Sequence, residues 1–254
     1  MSLRRFYAEP ESFLRTPGLV TLSEEESRHL RDVLRLRAGD EARVFDGEGR
    51  EFACVVREVG GRREGATLEV RGMAEPPSPE PPVFILLAAA LLKGEKFDLV
   101  VQKAVELGVG FIKPLMTKRT DVRLRDERDA AKRVERWRRL ALEAAKQSGR
   151  ARVPAVSQPS AFETFAAADP GADSLRLMFA ERAGVGLNEL PRRDAPPPNV
   201  AALVGPEGGW EDEEIELARA HGWSVVTLGG RTLRAETAAI TVCALMQHVY
   251  GDLK

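Results

Sequence analysis

The sequence is poor in the residues that build disulfide frameworks and metal sites. It contains two cysteines, Cys54 and Cys243, and three scattered histidines among 254 residues. So few residues provide neither a disulfide framework nor the clustered ligands of a zinc site. Both cysteines lie within apolar patterns, so we expect buried free thiols and no bound metal.

Long hydrophobic runs are also missing from the chain. The longest covers residues 83–92, which is ten residues, whereas a helix that spans a bilayer needs about 20. The N-terminal stretch is polar and charged and lacks the apolar segment of a signal peptide. We therefore expect a soluble cytoplasmic protein that is not associated with a membrane.

Neither sign of charge dominates the chain as a whole, because its formal net charge is −1. The charge is unevenly distributed, however, since residues 113–152 carry 14 Lys or Arg against 6 Asp or Glu. A basic segment of this kind suits an anionic partner such as RNA. A solvated helix face has the same composition, so the pattern alone leaves both interpretations open.

Proline divides the sequence into two parts. Residues 75–82 contain five prolines, which favour a stiff extended segment that neither a helix nor the centre of a sheet accepts. We therefore predict a first domain of residues 1–75, a linker of residues 76–82 and a second domain of residues 83–254.

The first domain is predicted to be mostly β-structure. Residues 43–56 indicate a hairpin with a glycine-containing turn, and residues 67–70 indicate a further strand. One helix interrupts the strands, with Ser23 as its N-cap and Glu26 completing a capping box. Arginines on the polar side of this helix make the domain a candidate for docking RNA.

The second domain alternates short apolar strands with helices. Strands are predicted at residues 83–87, 111–115, 153–156, 175–179, 200–204 and 225–228, and the main helices at residues 97–108, 126–147 and 236–250. Continuous apolar strands separated by helices are typical of an α/β fold whose parallel sheet is covered on both faces. The last helix is apolar on most faces, so we expect it to be buried.

Two glycine-rich turns mark a candidate ligand site. Residues 203–210 read Leu-Val-Gly-Pro-Glu-Gly-Gly-Trp, residues 228–237 read Leu-Gly-Gly-Arg-Thr-Leu-Arg-Ala-Glu-Thr, and each turn follows an apolar strand. In open α/β sheets, ligands bind beyond the carboxyl ends of the strands, where glycine allows a close backbone approach. Six carboxylates between Glu207 and Glu216 exclude a phosphate-binding loop. Ordinary strand-to-helix turns remain an alternative.

Several motifs, taken in order along the chain, resemble one known family. They lie at residues 29–40, 93–109, 143–150, 205–209 and 228–238. With them the chain resembles the ribosomal RNA small subunit methyltransferase E family, within the SPOUT methyltransferases, over nearly its whole length. The resemblance implies a PUA-like N-terminal β-barrel, a parallel sheet with a C-terminal trefoil knot, and a homodimer.

The same resemblance implies an activity and its partners. A member of this family transfers a methyl group from S-adenosylmethionine to N3 of one uridine in the 16S rRNA of the small ribosomal subunit. The residues then expected to bind the cofactor are Met178, Phe179, Leu203, Gly205, Pro206, Glu207, Gly208, Gly209, Leu228, Gly229, Leu233, Arg234 and Thr237. Leu203 and Leu228 could equally be core residues. Ala180 and Glu181 are weaker candidates at the end of the same strand as Met178.

Arg231, Arg234 and Glu236 are the candidate catalytic residues. The two arginines could stabilise negative charge on the uracil oxygens as N3 loses its proton. Arg234 could instead bind a phosphate, and Glu236 could simply favour the start of the final helix. The residues expected to hold the RNA backbone are Arg4, Arg5, Arg28, Arg31, Arg35, Lys93, Lys96, Arg119, Arg123 and Arg150.

Two other functions remain compatible with parts of the pattern. One is a SPOUT enzyme that methylates the ribose 2′-oxygen of tRNA or rRNA, and the motif at residues 29–40 argues against it. The other is a non-catalytic RNA-binding assembly factor with a degenerate pocket. The retained Arg234 and Glu236, together with the intact glycines, argue against that second alternative.

Overall fold

A computed structural model describes residues 4–61, 64–168, 173–190 and 195–254. The chain divides into two compact units, one formed by the residues up to Glu80 with Ala145–Val153, the other by Pro81–Ala144 and Pro154–Lys254. The first boundary falls inside the predicted linker. Residues 145–153, which the sequence analysis placed in the second domain, pack with the first unit in the structure, and the predicted domain bounds stay a prediction.

The first unit contains a five-stranded sheet. Its strands are β1 (Arg5–Tyr7), β2 (Leu19–Thr21), β3 (Glu41–Phe45), β4 (Glu51–Glu58) and β5 (Thr67–Ala74), in the order β1-β3-β4-β5-β2. Only the β1–β3 pair is parallel. Phe6, Val20, Leu30, Val44 and Leu68 are fully buried in its core. Because β1 and β2 lie at the two edges, closure into a barrel stays a prediction.

The helix of the first unit begins where the sequence predicts. Helix α1 (Glu24–Arg28) continues into a π-helical turn (His29–Val33), and the Ser23 hydroxyl accepts a hydrogen bond from the Glu26 backbone N–H at 3.2 Å. The reciprocal half of the predicted capping box is wrong, because the buried Glu26 carboxylate binds elsewhere. It accepts a hydrogen bond from Lys146 Nζ at 2.6 Å and a longer one from the Tyr7 backbone N–H at 3.5 Å.

Buried charges attach residues 145–153 to the first unit. Besides the Lys146–Glu26 pair, Arg150 Nη2 lies 2.6 Å from Glu80 Oε2, and Arg5 Nη2 donates to the Arg150 carbonyl at 2.8 Å. Removing one member of a buried pair leaves an uncompensated charge, which is strongly destabilising. These ionic contacts explain why the segment belongs to this unit.

The second unit is built on an eight-stranded, all-parallel sheet. Its strands are β6 (Phe84–Ala90), β7 (Phe111–Met116), β8 (Ala155–Val156), β9 (Ser160–Ala161), β10 (Ser174–Phe179), β11 (Val185–Gly186), β12 (Asn199–Val204) and β13 (Ser224–Thr227). The order is β11-β13-β10-β12-β6-β7-β8, and β9 also pairs with β7. Its helices are α2 (Lys96–Glu106), α3 (Glu127–Ser148), α4 (Phe162–Ala167), α5 (Asp212–Ala220) and α6 (Ala235–Tyr250). The predicted parallel α/β fold is confirmed.

Among the helices of the described residues, none could cross a bilayer.

Helix α6 is buried on one face only. Ala239, Val242 and Met246 are almost completely inaccessible, whereas Val249 is 46% exposed. The expectation of a fully buried final helix is therefore wrong for this chain by itself. Cys54 and Cys243 are buried free thiols, as predicted, and burial raises the pKa of each to about 12.

We predict that Gly108→Ala destabilises the second unit more than Gly94→Ala. Both glycines have positive φ, +76° and +62°, so each alanine costs roughly 1–2 kcal/mol of backbone strain. At Gly108 the new Cβ would also lie 2.5 Å from Gln247 Nε2 and 2.7 Å from Pro81 Cγ, whereas Gly94 has open space. Overpacking adds about 1–3 kcal/mol. Urea unfolding measures both variants, and equal losses would contradict the packing argument.

Candidate active site

A cavity of about 370 Å³ lies at the carboxyl ends of β10, β12 and β13. Strand β10 runs between the other two, with Phe179 opposite both Val204 and Val226, so the three strands end at one edge. The lining residues are Lys96, Phe179, Ala180, Glu181, Val204, Gly205, Pro206, Glu207, Gly209, Trp210, Leu228, Gly229, Gly230, Arg231, Thr232, Leu233, Arg234, Ala235 and Ala238. Its volume is in the range of small-molecule sites, about 300–1,000 Å³.

The loop after β12, residues 205–211, forms one wall of the cavity. Gly209 has a φ of +69°, and its N–H donates to the Pro206 carbonyl at 3.0 Å, which closes the turn. The buried Trp210 donates from Nε1 to the Phe179 carbonyl at 2.8 Å and so ties the loop to the end of β10. A Cβ on Gly205 would lie 3.0 Å from the Trp210 ring, so a side chain at this position would require the ring to move by a few tenths of an ångström.

Glu207 in this loop is held by α2. Lys96 Nζ lies 3.0 Å from Glu207 Oε1 and 3.9 Å from Glu236 Oε2. Burial alone would raise the pKa of the Glu207 carboxyl. Hydrogen bonds from its own backbone, from Lys96 and from the Lys93 backbone outweigh burial and hold that pKa below its usual value. Glu236 Oε2 is buried and has no hydrogen-bond partner among the described residues.

The loop after β13 presents backbone groups to the cavity. Gly229 has a φ of +91°, and a Cβ added to Gly229 or Gly230 would meet no atom within 4 Å. Within the part of the chain that the structure describes, the backbone N–H and C=O groups of residues 229–233 make no hydrogen bond. A ligand in the cavity can therefore supply their partners.

Two guanidinium groups complete the lining. Arg231 and Arg234 are both exposed, and neither has an ion-pair partner among the described residues. Arg234 has extended backbone and immediately precedes α6, where its carbonyl accepts a hydrogen bond from the Ala238 N–H at 2.8 Å. No grouping of His, Cys, Asp and Glu suited to a metal ion occurs in residues 4–61, 64–168, 173–190 and 195–254.

The structure brings most of the predicted cofactor residues together. Those that line the cavity are Phe179, Gly205, Pro206, Glu207, Gly209, Leu228, Gly229, Leu233 and Arg234. Met178 and Leu203 do not, because both are fully buried in the core. Gly208 is exposed beside Arg119, and Thr237 is exposed on α6 outside the lining. Of the candidate catalytic residues, Arg231 and Arg234 line the cavity and Glu236 does not.

Sequence reasoning missed several lining residues or gave them another role. Lys96 was expected to hold RNA, although its motif follows β6, which pairs with β12 and ends at the same edge. The position of Lys96 just after a strand that neighbours β12 could have identified it as a residue of the cavity. The sequence did not predict that Val204 and Trp210 line the cavity, because an apolar residue next to a glycine is usually part of the hydrophobic core.

The predicted RNA contacts fall into four groups. The side chains of Arg5 and Arg150 are only 6% and 3% exposed and are bound to Glu51 and Glu80. The structure therefore argues against the prediction that these two arginines contact RNA. Lys93, Lys96 and Arg119 have ion-pair partners in the second unit. Arg4, Arg28 and Arg31 have ion-pair partners in the first unit, and the Arg31 side chain is only 24% exposed. Arg35 and Arg123 are exposed.

Two family models match the sequence. Residues 79–247 match a family described as an RNA methyltransferase domain, and residues 22–64 match an RNA methyltransferase PUA domain. The first match covers most of the second unit and also residues 79–80 and 145–153 of the first unit, and the second match covers part of the first unit.

Individual proteins are similar over almost the whole chain. The ribosomal RNA small subunit methyltransferase E of Synechocystis is 33% identical over 241 residues, which are 94% of this chain and 76% of that protein. A methyltransferase from Legionella pneumophila, solved with its bound cofactor S-adenosylmethionine, is 35% identical with a TM-score of 0.86 and full coverage of both chains. The methyltransferase E of Neisseria gonorrhoeae, bound to S-adenosylmethionine, is 31% identical with a TM-score of 0.85, covering 99% of this chain and 100% of that one.

We predict that Lys96→Met raises the pKa of the Glu207 carboxyl towards its usual value. The substitution removes a hydrogen-bonding cation at 3.0 Å while the opposing effect of burial remains. A pH titration followed by the ¹³C shift of the labelled Glu207 carboxyl measures the change. Lys103→Met, which removes the partner of Glu106 instead, is the control. An unchanged Glu207 pKa in Lys96→Met would show that the backbone hydrogen bonds alone hold this carboxylate.

Proposed function

Because the chain belongs to the ribosomal RNA small subunit methyltransferase E family, we propose that it methylates N3 of one uridine in 16S rRNA, with S-adenosylmethionine as methyl donor. The observation that carries this proposal is the near-complete match to a family member solved with S-adenosylmethionine. The cavity at the strand ends is the candidate site for the reaction.

The cavity suits the chemical groups of S-adenosylmethionine. Phe179, Val204, Leu228 and Leu233 offer apolar surface for the adenine ring. The backbone groups of residues 229–233 can bond its polar edge. The carboxylates of Glu181 and Glu207 favour the cationic sulfonium and ammonium groups. When bound, this cofactor supplies a methyl group activated by its positive sulfur.

The residues of the chain then act on the uracil. A base in a structured RNA has to leave its stack to reach an enclosed site. N3 of uracil carries a proton, and its loss spreads negative charge onto the two neighbouring carbonyl oxygens. Arg231 and Arg234, which have no carboxylate partner among the described residues, are the donors available at the cavity to stabilise that charge.

Two finer features belong to the same proposal. The C-terminal trefoil knot rests on family likeness. The homodimer also rests on the incompletely buried outer face of α6, where Ile240, Leu245 and Val249 keep accessible surface. Sedimentation at micromolar concentration tests the dimer, since a single species near 27.9 kDa would contradict it.

We predict that the purified chain, given S-adenosylmethionine and undermethylated small ribosomal subunits, produces 3-methyluridine in 16S rRNA. Mass spectrometry of the rRNA nucleosides identifies the product, because methylation on the base and on the ribose give different fragments. A reaction without S-adenosylmethionine is the control. A 2′-O-methylated nucleoside would show a different SPOUT activity, and no product together with intact RNA binding would favour an assembly factor.

We predict that Arg234→Ala lowers the methylation rate far more than it lowers the affinity for the cofactor. Removing one donor to a developing oxyanion costs about 10²–10³ in rate, or roughly 2.7–4 kcal/mol. The loss should persist at saturating concentrations of both substrates, because it belongs to the transition state. Single-turnover kinetics measure it, with Arg219→Ala on α5 as the control. A normal rate with weaker, salt-sensitive RNA binding would instead make Arg234 a phosphate contact.

A further inference from the structure

We propose that Arg119 is a positioning residue, which holds the loop of residues 205–211 in the shape that binds S-adenosylmethionine. The sequence suggested that this arginine contacts RNA, and the structure gives it a different set of partners. The inference rests on the proposed function, because it takes the ligand of the cavity to be S-adenosylmethionine.

The guanidinium of Arg119 bonds this loop at two places. Nε and Nη2 donate to the two carboxylate oxygens of Glu211 at 2.7 and 3.0 Å, and Nη1 donates to the Gly208 carbonyl at 2.9 Å. A planar guanidinium can bind a carboxylate through two parallel hydrogen bonds and still reach a third acceptor. Lysine carries a single ammonium and cannot reproduce this geometry.

The packing of Gly208 supports the same role. A Cβ at this position would lie 3.1 Å from Arg119 Cβ and 3.4 Å from its Cδ, and Gly208 itself does not line the cavity. Its neighbours Glu207 and Gly209 do line it. Arg119 therefore binds the loop at two residues that do not line the cavity, Gly208 and Glu211, and glycine at 208 leaves room for that contact.

Arg119 and its partner are themselves well anchored. Arg119 lies in a turn in which the Thr120 N–H donates to the Thr117 carbonyl at 3.2 Å. The next contact is between the Lys118 N–H and Oε1 of the buried Glu214, at 2.9 Å. Glu214 Oε2 in turn accepts the Glu211 N–H at 2.9 Å. The segment after β7, the start of α5 and the cavity loop thus form one hydrogen-bonded unit.

The pKa values of Glu211 and Arg119 are consistent with a tight ion pair between them, which is called the Arg119 clamp below. The hydrogen bond from Arg119 lowers the pKa of the Glu211 carboxyl below its usual value, and the Glu211 carboxylate raises that of Arg119. Three nitrogens of the guanidinium already donate inside the protein. An RNA phosphate would have to compete with these bonds, whereas a ligand in the cavity gains from a loop that is already ordered.

The test compares Arg119→Met with Lys118→Met, whose ammonium pairs with the exposed Glu213 and does not touch the loop. Calorimetry with S-adenosylhomocysteine and steady-state kinetics are the readouts. We expect Arg119→Met to raise the Kd for S-adenosylhomocysteine and the KM for S-adenosylmethionine at least tenfold. The kcat at saturating cofactor should stay within about twofold of the unaltered chain, and Lys118→Met should change neither constant.

Two further variants separate the clamp from a general loss of structure. Glu211→Gln keeps the size of the side chain but removes its charge, and should weaken cofactor binding in the same direction. Arg119→Lys keeps the charge without the double hydrogen bond, and should recover less than half of the loss. Hydrogen exchange of the ligand-free protein should be faster in Arg119→Met at the amides of residues 207–209 and unchanged in the core strand β12.

Each opposite result overturns the inference. Unchanged cofactor constants, with weaker RNA binding and a salt slope reduced by about one, would make Arg119 a phosphate contact. Unchanged exchange at residues 207–209 would show that Arg119 does not order the loop. If the unaltered chain fails to bind S-adenosylhomocysteine while Arg119→Met still loosens the loop, the proposed function fails and the clamp holds the site of another ligand.

Discussion

The candidate active site depends on the parallel pairing of β10 with both β12 and β13. This pairing makes Phe179 the neighbour of Val204 on one side and of Val226 on the other. The loops that follow the three strands therefore start at one edge of the sheet and border one cavity. Register in a buried sheet is specified by the pattern of side chains that each strand buries and by the turns that connect the strands. The position of the cavity therefore depends on how the apolar strands pack in the core as well as on the residues that line it.

Ion pairs add a second level of order to that edge. Lys96 holds Glu207, Arg119 holds Glu211, and Lys93 lies 2.6 Å from Asp121. Such partly exposed pairs contribute little to overall stability, typically about 0–1 kcal/mol. Their effect here is geometric, because each joins a different segment to the loop or turn beside the cavity. The basic residues of this region therefore shape the site as well as the surface.

Much of the second unit could be predicted from the sequence. Buried parallel strands are continuous apolar runs, and Gly108, with a φ of +76°, marks the end of α2. The three-residue strands β1 and β2 could not be predicted, because their pairing partners are distant in sequence. The change of unit between Ala144 and Ala145 falls inside the continuous helix α3, where neither composition nor periodicity changes.

Individual site residues were harder to predict than the two loops. Gly208 and Gly209 are adjacent and identical in type, but only Gly209 has a positive φ and lines the cavity. Met178 and Phe179 are adjacent apolar residues, yet the cavity reaches only Phe179, at the very end of β10. These distinctions depend on backbone angles and on where each strand ends, and the type of residue determines neither.

The same limit applies to the basic residues, which the sequence could only treat as a group. In the fold, Arg150 is buried against Glu80, Arg119 is bound to Glu211, and Arg231 and Arg234 stand at the cavity without a carboxylate partner among the described residues. A guanidinium that is already bound to a carboxylate must lose that bond before it can bind an anion. A guanidinium without a carboxylate partner loses only its bound water when it binds an anion. We therefore propose that charge developing on a substrate at this edge is met by Arg231 and Arg234, which line the cavity and have no carboxylate partner among the described residues.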